Sequence, residues 1–217
     1  MSDNAPRYGF RFVKSRYGGG NAPVQEAWVA TSASFDVNGG AANVVLGEGD
    51  PLLQVSDGSV TLALGSETTD STTILGICCG IKQYKDTVRG VLTALGPGIP
   101  SDLAWGTNLQ FQSRLYFVPV ESAIWAIQVD DATTFTTEAA YQAVIGENCR
   151  MILTGASGEL RAKPKLDIST HATTNTFPWK IIGISQTAQN QDYSGANVEL
   201  YVISNGTLAS NNAILGI

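Results

Sequence analysis

Apolar and polar residues alternate over many short segments of this chain, which is the pattern of half-buried β-strands. Residues 60–64 (Val-Thr-Leu-Ala-Leu) and 198–202 (Val-Glu-Leu-Tyr-Val) show it most clearly. Clusters of glycine, proline, asparagine and aspartate, which favour turns, separate these segments. The predicted strands are residues 8–14, 27–31, 42–46, 52–55, 60–64, 73–81, 87–95, 111–120, 123–129, 150–153, 179–185 and 198–203.

One short helix is predicted at residues 138–145, with Thr137 as its N-cap and Gly146 at its end. Residues 163–178, rich in Ser and Thr around His171, are interpreted as a loop that is either solvated or lies on a partner. The sequence shows no internal repeat. Strands without long intervening helices favour an all-β antiparallel fold, a sandwich or barrel that includes a jelly-roll-like form.

The sequence divides into an extended N-terminal arm (1–22), a β-rich body (23–204) and a C-terminal tail (205–217). The tail ends in apolar residues, which we expect to pack in the chain's own core or on a neighbouring subunit. The arm has a net charge of +3, whereas the whole chain is −6, so the remainder carries −9. A basic aromatic strand on an acidic molecule predicts a partner-binding surface. Its candidate binding residues are Tyr8, Phe10, Arg11, Phe12, Lys14, Arg16 and Tyr17.

Two interpretations of this arm are open. It extends over another copy or an acidic neighbour, or it is an ordinary first strand that pairs within its own domain.

Composition excludes several classes of function. Charged residues make up only 15% of the chain, below the roughly 25% of typical soluble domains, which suits permanent assembly. The acidic balance argues against nucleic acid as the main partner. No apolar run is long enough for a membrane span, and the N-terminus lacks a secretory leader. We therefore expect no membrane partner and synthesis in a cytoplasm.

The residues that could carry chemistry are few. His171 is the single histidine, and a nucleophile such as Cys149 would need it as a base. Cys78, Cys79 and Cys149 have no disulfide or zinc spacing and are interpreted as buried structural thiols. Asp130, Asp131 and Glu121 are weak candidates for a cation site and are interpreted as solvated turn residues. We predict no catalytic residue, no cofactor and no metal.

Several stretches follow one another along the chain in an order that is typical of one family. They are residues 9–13 and 25–29, the Gly-Asp-Pro turn within 46–53, the apolar strand 74–81, the hairpin 115–120 and 125–129, and the closing segments 166–170, 181–184 and 198–202. Their order resembles the decoration, or cement, proteins on the heads of tailed double-stranded DNA bacteriophages. The likeness covers nearly the whole chain, although the Cys78-Cys79 pair and the extension beyond Ser204 depart from the pattern.

The resemblance implies a non-enzymatic structural protein of the virion, on the outer surface of the capsid, that binds the major capsid protein and stabilises contacts between capsid subunits. It also implies a homotrimer. One alternative is a β-rich glycan-binding module of a virion fibre or adhesin, with Trp28, Trp105, Trp125 and Trp179 as candidate sugar platforms. Another is a hydrolase that uses His171 with Cys149.

Overall fold

The chain folds into antiparallel β-sheets with one short helix. In the computed structural model, the described residues are 9–18, 20–29, 45–54, 58–63, 74–86, 90–93, 98–100, 114–130, 133–154, 163–174, 177–187, 190, 192–194 and 197–205. The strands are β1 (Arg11–Ser15), β2 (Gln25–Trp28), β3 (Val45–Gly47), β4 (Pro51–Gln54), β5 (Val60–Leu62), β6 (Ile74–Asp86), β7 (Gly90–Thr93), β8 (Gly98–Pro100), β9 (Arg114–Pro119), β10 (Ala123–Gln128), β11 (Asn148–Leu153), β12 (Pro164–Ala172), β13 (Trp179–Ile184) and β14 (Glu199–Ser204), and the helix is α1 (Glu138–Ala143).

Two large antiparallel sheets build the molecule, which confirms the predicted all-β fold, a sandwich or barrel. The N-terminal sheet has the order β2-β9-β6-β4-β5, with β7 added to the far end of β6. The C-terminal sheet has the order β1-β10-β14-β13-β11-β12. Strands β3 and β8 form a small separate pair. A single 3₁₀ turn, Val120–Ser122, connects the last strand of the N-terminal sheet to β10.

The two large sheets repeat one topology, which the sequence does not reveal. If β7 is set aside in the N-terminal sheet and β1 in the C-terminal sheet, and the five remaining strands of each are numbered along the chain, both sheets have the spatial order 1-5-4-2-3. In both, the residue after the first strand forms a parallel bridge to the third strand: Val29 to Val60, and Val129 to Leu166. Each sheet therefore curls until its ends meet, and only β1 lies outside the repeated pattern of the C-terminal half.

Two apolar clusters fill the interior. One contains the largest buried side chains of the C-terminal sheet, including Trp125 and Trp179, and extends onto Ile77 and Val118 of the N-terminal sheet. The other lies on the opposite face of the N-terminal sheet, where Cys78 belongs to it. Because successive strand residues point to opposite faces, neighbours such as Ile77 and Cys78 contribute to different clusters. The first cluster joins the two halves of the molecule.

The Gly-Asp-Pro turn connects β3 to β4 and fixes the start of β1. Asp50 is fully buried, and its Oδ2 accepts a hydrogen bond from the backbone N–H of Gly47 at 2.8 Å. The backbone N–H of Phe10 donates to the carbonyl of Gly49 at 2.9 Å. Gly9 and Gly49 both have positive φ, and a Cβ on Gly9 would be 2.8 Å from the Gly49 oxygen. Only glycine fits this close crossing without strain.

The predicted strands overlap the observed ones, and α1 confirms the predicted helix. The Thr137 Oγ1 accepts a hydrogen bond from the Ala140 N–H, as an N-cap does. The predicted loop at residues 163–178 is wrong, because β12 occupies most of it. Its residues alternate between the core and solvent, with Leu166 and Ile168 fully buried. Strand β8 was not predicted, and of the tail 205–217 only Asn205 lies within the described residues.

Candidate functional site

Strand β1, the centre of the predicted binding arm, is part of the C-terminal sheet. It pairs antiparallel with β10, from Arg11 opposite Ala126 to Ser15 opposite Ala123. The register shifts between Phe12 and Lys14, which indicates a β-bulge. Residues 9–15 therefore follow the second interpretation of the arm, a first strand that pairs within its own domain.

The aromatic side chains of β1 and the preceding residue pack inward. Phe10 is 5% exposed, and its ring lies 4.3 Å from that of Trp179 and 6.3 Å from that of Trp125, measured between centroids. Phe12 is half-buried and contacts Trp125 edge to face at 6.1 Å. Phe10 is thus a core residue, and in this fold it has no surface to offer a partner.

Arg11 makes an ion pair inside the chain. Its Nη2 lies 2.5 Å from Oε1 of Glu199, a carboxylate on β14 with 6% side-chain exposure. The same oxygen accepts a hydrogen bond from Ser185 Oγ at 2.6 Å. Asn190 Nδ2 donates to the carbonyl oxygens of Ser185 and Glu199, and its Oδ1 accepts from the Glu199 N–H. The carboxylate therefore lies in a network of hydrogen bonds. Arg11 therefore helps to satisfy a buried carboxylate.

The remaining described candidates face solvent. Lys14 and Arg16 are exposed, and Tyr17 is 75% exposed, the largest value among the exposed apolar side chains of the described residues. The backbone N–H of Arg16 donates to the Ser122 carbonyl, which fixes the chain just beyond β1. Tyr8 lies outside the described residues. Arg11 is also exposed but is paired with Glu199, so Lys14, Arg16 and Tyr17 are the described candidates that we consider for partner binding.

A second surface cluster lies on the N-terminal sheet, and Trp28 is its one member among the residues predicted from the sequence to bind a ligand. Glu26 on β2 accepts hydrogen bonds from Lys82 Nζ at 2.6 Å and from Arg114 Nη1 at 2.9 Å. The Arg114 guanidinium stacks 3.5 Å above the Trp28 ring, and Tyr116 lies beside Lys82. The Lys82 hydrogen bond, with a smaller one from Arg114, lowers the pKa of Glu26 against the opposing effect of desolvation. We call these five residues the β2 cluster.

Alternation along β9 was the sequence signal for this cluster. Arg114 and Tyr116 alternate with Leu115 and Phe117, which belong to the apolar cluster on the opposite face. Such a pattern predicts an outward polar face. Which residues of β2 and β6 meet it depends on strand pairing, which one chain's local pattern does not encode.

The candidate sugar platforms are only partly on the surface. Trp125 and Trp179 are 2% and 0% exposed and belong to the core. Trp28 is half-buried and carries Arg114 on its ring. Trp105 lies outside the described residues.

His171 and Cys149 occupy different environments. The His171 Nδ1 lies 2.5 Å from Glu147 Oε2, and its ring packs edge to face against Phe135. Cys149 is fully buried, and burial raises the pKa of its thiol strongly. Its Sγ lies 3.9 Å from the Trp179 carbonyl oxygen. This environment favours the neutral thiol, whereas a nucleophile needs the thiolate.

Two of the three acidic candidates for a cation site, Asp130 and Glu121, lie within the described residues. Asp130 Oδ1 accepts the backbone N–H of Ile168, and Glu121 lies in the 3₁₀ turn. Asp131 is outside the described residues. Within the described part of the chain, no group of three His, Cys, Asp or Glu side chains could hold a metal ion. No helix in that part is long and apolar enough to cross a membrane.

Comparison with known proteins adds no relative to this picture. No family model, no curated protein and no solved structure matches the chain. Function is therefore inferred from the surface itself, which offers the accessible cations near β1 and the β2 cluster.

Proposed function

We propose that this chain is a non-catalytic decoration protein that binds the outer surface of an assembled phage head. The observation that supports it most is the cationic surface of Lys14, Arg16 and Tyr17 on a molecule whose remainder is strongly acidic. Lys14 lies on β1, which pairs with β10, and the backbone N–H of Arg16 donates to the Ser122 carbonyl, so this surface is anchored to the sheet. A preorganised surface loses less conformational entropy on binding than a flexible arm.

The partner that fits this surface is an acidic region of the major capsid protein. Cations around an exposed tyrosine steer an acidic partner and supply one aromatic anchor. A protein that binds only the assembled lattice stabilises the lattice by mass action. A homotrimer would present three such surfaces, and each would raise the effective concentration of the next.

Sedimentation with emptied phage heads tests this function. Lys14→Glu should weaken binding about tenfold or more, because it places a carboxylate against an acidic surface. Lys180→Glu on β13 is the matched control, since it makes the same charge change on another strand of the same sheet. Equal binding of both variants would contradict the proposal. Light scattering coupled to size exclusion tests the trimer, for which we expect a mass near three subunits.

A glycan-binding module is the alternative function, and Trp28 is its described candidate. A half-exposed indole beside charged hydrogen-bonding groups is a usual feature of sugar sites. Binding of the isolated protein on a glycan array, lost in Trp28→Ala, would favour this alternative. Absence of any array signal, together with head binding, would favour decoration.

A further inference from the structure

The repeated topology of the two halves gives each strand of the N-terminal sheet a counterpart in the C-terminal sheet. The first strands correspond, β2 to β10, and so do the last, β9 to β14. The parallel bridges fix the alignment, because Val29 corresponds to Val129. Glu26 and Trp28 therefore take the places of Ala126 and Gln128.

Most of the outer edge of β10 is paired. Its first part pairs with β1, and the residue that follows it bridges to β12. On β2, the corresponding bridge of Val29 to Val60 is present. No strand among the described residues takes the place of β1, however, and Gln25 and Glu26 are exposed. Val24, just before β2, is 54% exposed.

We propose that the outer edge of β2 is a docking site for an acidic extended strand of a partner protein, in the position that β1 occupies on β10. Addition of a strand to an open edge is a common mode of peptide recognition, because main-chain hydrogen bonds supply affinity. The identity of the partner as a capsid neighbour rests on the proposed function. The chemistry of the docking strand rests on the geometry alone.

The charge of the docking strand follows from the same correspondence. On the C-terminal sheet, Arg11 of the added strand reaches across β10 to Glu199, which stands opposite Gln128. The residue opposite Trp28 is Arg114, so the charge at the equivalent position is reversed. An added strand that reproduces this ion pair must supply a carboxylate.

The β2 cluster has a positive charge that one more carboxylate would neutralise. Lys82 and Arg114 share the single carboxylate of Glu26, which leaves the cluster with a net charge of +1. The Nε of Arg114 is also buried without a hydrogen-bond partner. A second copy of β1 does not fit, because it is basic and its Phe10 is held in the core. The occupant that fits this charge is therefore an acidic extended segment, which we assign to a partner protein.

Two synthetic peptides test the site on the full chain. The first copies residues 9–16 with Arg11→Glu, Lys14→Glu and Arg16→Glu, and the second has the native sequence of the same residues. Fluorescence anisotropy of labelled peptides, at protein concentrations up to about 1 mM, measures both affinities. We expect the acidic peptide to bind about tenfold more tightly than the native one.

Arg114→Glu should make the protein bind the native, basic peptide more tightly than the acidic one. An unfolded variant would not show such a reversal. Lys82→Glu, on the more exposed partner of Glu26, is the second variant if Arg114→Glu does not fold, and Lys180→Glu is the control that should keep the wild-type preference. Equal affinities, no binding of either peptide, or an unchanged preference in the reversed variants would each overturn the proposal. Because the assay contains no phage heads, its failure is separate from a failure of head binding.

Discussion

Single residues in this fold are constrained where strands pack most closely. Gly76 on β6 is an example, because a Cβ there would be 2.3 Å from Cδ2 of Phe117 and 2.8 Å from the Val118 carbonyl oxygen. The second of these atoms belongs to the backbone, so a side-chain rotation does not relieve the contact. Gly80, on the same strand, has its nearest such neighbour at 3.9 Å.

Gly76→Ala should therefore destabilise the protein, by about 1–3 kcal/mol through overpacking. Gly80→Ala is the matched control and should cost less than about 1 kcal/mol, because the added methyl group has room. Chemical denaturation of both variants measures the two free energies of unfolding. Equal destabilisation would show that the contact with Phe117 and Val118 does not determine the effect.

The three cysteines predict a sharp difference in reactivity. The interpretation of all three as buried thiols is wrong for Cys79, which is exposed, and is confirmed for Cys78 and Cys149. Desolvation, with the nearby charge of Glu48, raises the pKa of the Cys79 thiol. A raised pKa means less thiolate at neutral pH, so iodoacetamide should alkylate Cys79 alone, and more slowly than a free cysteine. The rate should continue to rise at pH values where a free thiol is already ionised.

Mass spectrometry of the native protein after alkylation checks this expectation. Cys79→Ser should abolish the native-state reaction and leave the other two thiols protected. Fast modification of Cys149 in the native protein would contradict its described burial.

Among the elements, β1 most affects the choice of variants, because it contributes both to the stability of the sheet and to the proposed binding surface. Phe10 packs in the core and Arg11 forms an ion pair with Glu199. Removal of residues 1–17 would therefore destabilise the sheet as well as delete the exposed cations. Point substitutions separate these two effects. Phe10→Ala should lower stability by about 3–5 kcal/mol, as other buried aromatic truncations do.

Tyr17→Ala is the control for β1, because its exposed ring should contribute within about 0.5 kcal/mol. Thermal or chemical unfolding of the two variants gives the comparison. A small effect of Phe10→Ala would mean that Phe10 contributes little to the core between Trp125 and Trp179.

The local sequence pattern predicted most individual strands and the helix, but it did not predict which strands pair with each other. The Thr137 cap and the alternation of residues 60–64 are encoded within a few positions, so α1 and β5 could be predicted. The same kind of alternation runs through Leu166 and Ile168, but the surrounding Ser and Thr residues resembled a loop. The pairing of β1 with β10 joins residues more than a hundred positions apart, and no local signal specifies it. The β2 cluster depends on such pairing in the same way.

At the scale of the whole molecule, the two halves repeat a topology but do not have separate cores. The cluster that contains Trp125 and Trp179 extends onto Ile77 and Val118 of the N-terminal sheet. The chain at the start of β1 also connects the halves, because the backbone of Phe10 bonds the turn before β4 while the Arg11 side chain bonds Glu199 on β14. Shared burial of this kind couples the stability of the halves, so we expect them to unfold together.

Cys78 and Cys149 report on the two halves, since each is buried in a different apolar cluster. In a Cys79→Ser background, brief alkylation along a denaturant series should expose both thiols at the same midpoint. Ile77→Ala, which weakens the cluster that joins the halves, should lower both midpoints equally if coupling is retained. Separate midpoints in the Cys79→Ser protein itself would show that the repeated halves are independent folding units. Coincident midpoints would show that the halves are coupled, as expected where β1 pairs with β10 of the second half and the adjacent Phe10 N–H bonds the Gly49 carbonyl of the first.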